Sequence, residues 1–280
     1  MPVPTGTASF QDIEDEFGGS HPISLSEYYG AAAGVPASGT ISVNNFRGTS
    51  SVFAFNLAAG NSISLSTAAT AAGWSGSSSL LVTLPSGVTI GGSSNDFGLD
   101  IDVGGYNVTL NVSGTILGKG GNGGNAYNGT GGAGGNALRL NSAFSGTATI
   151  TVNSGGLIGG GGGGGGGGVG SFYIDGMYSG GGGAGGAGRA NSSGGAYAGS
   201  NYVFSAYGGT DTAGAERNSY GGGAGGDLGA NGENGFVQYG FMYSYTGGSG
   251  GSGGSGGNAI KTNGKSYSLA NNGTVSGTVG

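Results

Sequence analysis

The side chains with most to offer a ligand are tyrosines. Tyr173 and Tyr178 lie in SFYIDGMYS, Tyr197, Tyr202, Tyr207 and Tyr220 in AYAGSNYVFSAYGGTDTAGAERNSY, and Tyr239, Tyr243 and Tyr245 in ENGFVQYGFMYSYT, with Phe204 and Phe241 among them. The remainder of these stretches is rich in Ser, Gly and Asn, the palette of antibody paratopes, in which a tyrosine supplies rigid area and a hydroxyl at small entropic cost. Held on a stiff scaffold, such residues could grip a carbohydrate or a protein surface. The competing reading is that they pack on one another and cover the scaffold's edges.

Acid, base and metal chemistry is less well provided. Asp100 and Asp102 stand two apart in LDIDV, on one face of a strand, but calcium would need a third acidic ligand and none is near, so a solvated strand face is the expectation. Asp175, Asp211, Glu216, Asp227 and Glu233 could in principle supply the two carboxylates, about 5 to 9.5 Å apart, of a glycan depolymerase, yet no pair stands out. Asp12, Glu14, Asp15 and Glu16 read as favourable charge near a helix N-terminus or as a docking face. With one histidine, His21, and no cysteine, neither a histidine dyad nor a histidine or thiolate metal cluster forms within one chain. Gly118, Gly120 and Gly123 satisfy G-x-G-x-x-G, but no helical pattern follows, and Lys119 precedes Gly120 where a P-loop needs Ser or Thr. The expectation is a protein that is not an enzyme and holds no cofactor or metal.

The elements that must position the tyrosines are built from glycine. Ten consecutive glycines, Gly159–Gly168, sit amid a region from Gly118 to Gly257 that holds most of the chain's 76 glycines. Ordering such a stretch costs on the order of 1–2 kcal/mol per residue with no side-chain burial to offset it. Two outcomes are open, a disordered linker or a lattice of extended glycine strands whose amides bond sideways. Flexible linkers carry few aromatics, and the tyrosine punctuation favours the lattice. Collagen is excluded, since the five prolines all precede Ser86 and no Gly-X-Y period exists.

Three regions are expected. Residues 1–48 form an N-terminal attachment module: Phe10, Ile13 and Phe17 lie at helical spacing behind Ser9, Gly18 and Gly19 stop that helix, SLSEYYG with Tyr28 and Tyr29 suggests a second, and TISVNNF looks strand-like. Residues 49–117 read as a β-rich domain with one short helix: VFAFNL, the helical LSTAATAAGW, then LLVTL, VTI, LDIDV and NVTLNV, with Trp74 as a core plug. Residues 118–280 are the glycine-rich domain. A repeat links LNVSGTILGKGGNGG, ITVNSGGLIGGGGGG and LANNGTVSGTVG, and another pairs GGNALRL with GGNAIKT, which argues for stacked layers. The fold class is therefore mainly β with irregular glycine-rich structure: a short helical anchor, a small β-rich domain and a polyglycine-II-type sandwich.

Only 7% of residues are charged, the net charge is -6 and the pI is near 4.4. Seven Lys or Arg spread along the chain argue against nucleic acid or anionic membrane as partner. MPVPTGTASF lacks the basic and apolar regions of a secretory signal, and no stretch is long and apolar enough for membrane insertion as a helix.

Two parts of the chain resemble structural proteins of tailed phages. The segment ASFQDIEDEFGGSHPISLSEYYGAAAGVPASGTISVNNFRG, 8–48, is similar to the N-terminal segment of phage tail-tip and minor tail proteins. The run from Leu57 through AATAAGW, SGVTIGG, SGTILGKGGNGG, GGNAL and NSGGLIGGGGGGG resembles glycine-rich modules of phage tail fibres and central tail spikes, and the alternation of glycine motifs with tyrosine-rich inserts looks like the distal adhesins of T-even-like phages, whose polyglycine-II sandwich presents receptor-binding loops. The resemblance implies a virion tail protein, synthesised in the bacterial host cytoplasm and present in an oligomeric assembly. Residues 1–48, through Phe10, Ile13, Phe17, Tyr28 and Tyr29, would join it to other phage tail proteins, and the tyrosines would meet a host surface glycan or outer-membrane protein. A purely architectural tail-tip, collar or capsid decoration role is the alternative, and ice binding by a flat glycine face a more distant one.

Overall fold

The computed structural model describes residues 3–19, 21–32, 34–49, 51–76, 78–93, 97–125, 129–174, 177–179, 223–235, 237–239 and 250–280. It is mainly β with few helices. At the N-terminus, helix α1 (Phe10–Phe17) opens on a capping box in which the Asp12 backbone N–H donates to Ser9 Oγ and the Asp12 carboxylate accepts from the Ser9 N–H. The hydrogen bonds from Ser9 hold the Asp12 carboxyl below the usual range. A 3-10 turn at Leu25–Tyr28 follows, capped by Ser24. The expected strand TISVNNF is instead a 3-10 turn, Val43–Phe46. Asn45 Oδ1 accepts from the Ser42 N–H at 2.8 Å, closing the chain into a turn, and Phe46 is fully buried. Phe17, Tyr28 and Phe46 pack edge-on or tilted with ring centroids 5.8–6.1 Å apart. With Val3, Ile13 and Val35 they form a small core of their own. Val3 and Thr49 close its two ends through a backbone hydrogen bond of 2.9 Å.

From residue 52 onward the chain winds as a three-sided parallel solenoid. The first coil is β1 (Val52–Asn56), β2 (Gly60–Asn61) and β3 (Ile63–Ser64), then helix α2 (Leu65–Ala71). The second is β4 (Ser79–Leu84), β5 (Thr89–Gly91) and β6 (Phe97–Ile101). The third is β7 (Val108–Val112), β8 (Thr115–Leu117) and β9 (Asn136–Leu140), and the fourth begins with β10 (Ala148–Val152) and β11 (Leu157–Gly159). A small separate sheet is made of β12 (Val169–Ile174), β13 (Met177–Ser179) and β14 (Val237–Tyr239). The solenoid resumes with β15 (Ile260–Lys261), β16 (Tyr267–Asn271) and β17 (Thr274–Ser276). Its three sheets run β1-β4-β7-β10-β16, β2-β5-β8-β11-β17 and β3-β6-β9-β15.

Alternating strands form this coil because each places one apolar column inward, and in-register stacking lays the columns on one another. In the first sheet Phe55, Val82, Leu110, Ile150 and Leu269 align. Ile90, Ile116, Ile158 and Val275 align in the second, and Ile63, Leu99, Leu138 and Ile260 in the third. The sequence repeats are therefore successive coils of one core. Strand pairing crosses residue 117, where the composition shifts, since β7 pairs with β10. Trp74 is 8% exposed, lies edge-on to Tyr106 at 5.4 Å and donates Nε1–H to the Ser78 carbonyl, as a core plug should.

The expectation of a solvated face for Asp100 and Asp102 fails. Asp100 is 4% exposed and accepts from Arg139 Nε and Nη2 at 2.8 and 2.7 Å and from Asn141 Nδ2 at 2.8 Å. Arg139 also lies 4.1 Å from the Phe97 ring centroid. Asp102 holds the start of α2, accepting from Ser64 Oγ, Ser66 Oγ and the Ser66 N–H. The partners come from other coils or from across a corner, so spacing along the chain cannot announce them. Two outcomes follow for denaturant unfolding. Ile150→Ala, enclosed between Leu110 and Leu269 in its column, lowers stability by about 2–5 kcal/mol, more than Leu269→Ala in the last coil. Arg139→Met leaves a buried carboxylate without its cation and costs about 3–5 kcal/mol.

Candidate functional site

The glycine tract grows from one corner of the solenoid. Between the second and third sheets the first coil needs only Ser62, whereas the third coil inserts 118–135 and the fourth 160–259. Glycine segments 118–125 and 159–168 run out from β8 and β11, and 129–135 and 250–257 lead back toward β9 and β15, so neighbours in a sheet remain neighbours beyond it. Gly118, Gly121 and Gly124 donate to the carbonyls of Gly159, Gly162 and Gly165, each at 2.8 Å. Gly161, Gly164 and Gly167 donate to Gly135, Gly132 and Gly129, and their own carbonyls accept from Gly257, Gly254 and Gly251. The carbonyls of Gly160, Gly163 and Gly166 accept from Gly229, Gly226 and Gly223, while the Gly163 and Gly166 amides donate to Ala230 and Glu233.

Every third residue thus returns to the same neighbour. All of residues 159–168 are buried. A Cβ at Gly163 would overlap the Gly254 carbonyl oxygen, at Gly164 that of Asn122, and at Gly165 that of Gly223. Three successive positions face three different backbones, which is why a continuous run of glycine is required here. Outer segments relax the demand at one position in three: Asn122 and Asn125, Thr130 and Ala133, Asn231 and Asn234, and Ser252 and Ser255 are exposed. Asn231 and Asn234 add bonds of their own, accepting through Oδ1 from the Gly256 and Gly253 amides at 2.9 and 2.8 Å. Sequence reading missed this role, although the period-three recurrence of Asn was its signal.

The register also places the ends. Gly167 meets Gly129 and Gly251, Gly166 meets Gly223, and Gly235 donates to Gly251. The described residues that flank 126–128, 169–222 and 236–249 therefore converge at the end of the glycine segments away from β8 and β11. Tyr173, Tyr178 and Tyr239 lie on β12, β13 and β14, and the structure brings these three strands into one sheet, β13-β12-β14. Tyr197, Tyr202, Tyr207, Tyr220, Tyr243 and Tyr245 lie outside the described residues, as do Asp175, Asp211 and Glu216. Glu233 Oε2 accepts from the Ala224 N–H at 3.3 Å, and the Asp227 carbonyl closes a turn with Ala230, so both belong to the glycine scaffold.

Of the five residues expected in the attachment module, Ile13 and Tyr28 are buried and Phe17 is half-buried, building its core, whereas Phe10 and Tyr29 are 47% and 37% exposed. The Tyr28 hydroxyl donates to the Gly18 carbonyl at 2.7 Å. Its pKa is raised, first by burial and then by the charges of Glu27 and Glu14. His21 lies 3.2 Å from Glu14. Among the described residues no cluster of three His, Cys, Asp or Glu is placed to hold a metal, and no helix is long and apolar enough to cross a membrane.

Residues 43–280 match the family described as phage tail fibre adhesin Gp38. The chain belongs to this family. A tail fibre adhesin is a component of the phage tail, and the match takes in the solenoid and the glycine segments while leaving most of the N-terminal module outside it. Among solved structures, the chain is similar to one in the crystal structure of the gp37-gp38 adhesin tip complex of the bacteriophage S16 long tail fibre, at 19% identity, with 98% of this chain and 94% of that one covered and a TM-score of 0.47. No curated protein matches the chain.

The glycine scaffold has a direct test. Gly164→Ala, whose Cβ has no free volume, lowers the thermal midpoint and speeds amide exchange across 118–135, at a cost of about 1–3 kcal/mol or more. Ser255→Ala, on an exposed position of the same lattice, changes stability by less than about 0.5 kcal/mol.

Proposed function

We propose that this tail fibre adhesin is a non-enzymatic receptor-binding protein whose glycine segments form a polyglycine-II-type sandwich that carries tyrosine-rich loops toward the host cell. The observation that supports the reading best is the hydrogen-bond register around Gly159–Gly168: it has a period of three, and the flanks of both long tyrosine-rich inserts meet at one end of it. Polyglycine-II geometry advances about 3.1 Å per residue, so ten glycines reach roughly 31 Å and hold those flanks well clear of the solenoid.

Tyr173, Tyr178, Tyr197, Tyr202, Tyr207, Tyr220, Tyr239, Tyr243 and Tyr245 are the receptor-binding candidates in this proposal, and the ligand is a host surface glycan or an outer-membrane protein. Aromatic faces stack on sugar rings or protein side chains while their hydroxyls and the neighbouring Ser and Asn exchange hydrogen bonds with polar groups. Residues 1–48 join the chain to other tail proteins, and repetition within an oligomeric tail multiplies modest single contacts through effective concentration. Synthesis in the host cytoplasm, with release by lysis, belongs to the same proposal.

Exchanging residues 171–246 for the corresponding residues of another family member transfers host range with the insert, scored by adsorption to panels of host strains. Unchanged adsorption and host range would remove the adhesive role from these loops.

A further inference from the structure

Each coil of the solenoid hands its backbone to the next. The Leu57 N–H donates to the Thr83 carbonyl at 2.8 Å, so residues 53, 55 and 57 turn their main-chain groups toward β4. Alternation along a strand then directs the N–H and C=O of Val52, Ala54 and Asn56 to the opposite side. Among the described residues no strand pairs with β1 on that side, and Val52 is 50% exposed. Natural sheets blunt such an edge with charge or proline. Neither occurs between Arg47 and Pro85.

This edge adjoins the N-terminal module. Glu16 of α1 accepts from the Ser51 N–H at 2.7 Å, immediately before β1. Of the exposed large apolar side chains among the described residues, Phe10, Tyr29 and Val52 belong to this end and Tyr267 to the opposite coil. The module is also the acidic part of the chain, with Asp12, Glu14, Asp15, Glu16 and Glu27 against Arg47.

We propose that β1 is completed in the assembled tail by an extended strand of a partner tail protein, a strand flanked by Lys or Arg. Main-chain pairing along Val52–Asn56 supplies affinity, and the acidic module beside it attracts and orients the basic strand. The inference rests on the reading that residues 1–48 attach the chain to the tail, and it adds both the contact strand and the chemistry of the partner.

The test supplies full-length variants from a plasmid to cells infected by the parent phage lacking its own copy, and measures the chain in purified virions by immunoblot. Ala54→Pro removes one N–H from the free edge, leaves the β1–β4 bonds in place and points outward, a position where edge strands tolerate proline. Its melting midpoint stays at the wild-type value, and its incorporation falls about tenfold or more. Val52→Lys, which sets a cation against the basic strand, produces the same loss and serves if Ala54→Pro lowers the midpoint. Tyr267→Pro, on the free edge of the last coil, incorporates normally.

Wild-type incorporation of both β1 variants overturns the proposal. Loss confined to Tyr267→Pro does so too, since it places the partner at the other end. A purified wild-type dimer that Ala54→Pro converts to monomer, seen by sedimentation, assigns the edge to a second copy and equally overturns it. Deleting residues 1–48 separates the two readings. If that chain still incorporates, the attachment reading falls and the Ala54→Pro result decides the strand pairing by itself. If it is lost while Ala54→Pro is retained, only the strand pairing falls.

Discussion

Between Gly159 and Gly168 the main chain is surrounded by other main chain, and every third residue returns to the same neighbour through a hydrogen bond of 2.7–2.9 Å. The remaining architecture of the glycine region depends on that enclosure. A single Cβ would push a carbonyl oxygen out of place, and with it the bond that carbonyl accepts. Glycine normally weakens an ordered element through its conformational entropy. Here the backbone amides, which would otherwise be buried without partners, compensate by pairing in several directions at once, an option open only to a chain without side chains in the way.

The solenoid makes this enclosure possible. Aligned apolar columns hold β8 beside β11 and β9 beside β15, so the glycine segments that continue from them begin in register and at hydrogen-bonding separation. A free glycine chain would have to find its neighbours at full entropic cost. Emerging from a packed parallel sheet, it finds them already placed. The stacked coils are also tied by a buried polar pair, Asp100 with Arg139, which joins β6 to β9 within the third sheet.

The N-terminal module has a different construction. Its core is aromatic, its helix is capped by its own side chains, and its ends bond to each other. The match to the adhesin family begins at residue 43, close to where this core ends and the solenoid begins. Charge is divided in the same way: carboxylates gather on the module, whereas the long stretch from residue 48 to 84 has no charge at all.

Local features were legible in the residues themselves. Ser9 ahead of Phe10, Ile13 and Phe17 announced a capped helix, LLVTL and NVTLNV announced strands, and Trp74 after an alanine-rich helix announced a core plug, because each depends on neighbours within a few positions. The repeats LNVSG, ITVNSG and LANNG argued for layering, and the tyrosines punctuating the glycine region favoured a lattice over a linker. Hidden from the sequence were the joining of 49–117 and 118–280 in shared sheets, the burial of Asp100 against Arg139, the turn at Val43–Phe46 and the free edge of β1. Each of these is settled by which coil lies next to which. Composition and periodicity determined that the strands alternate, with one apolar face turned inward, and favoured glycine packing against glycine. Only the tertiary structure decided the register between coils, because hydrogen-bond partners separated by tens of residues are chosen by the closure of the whole winding.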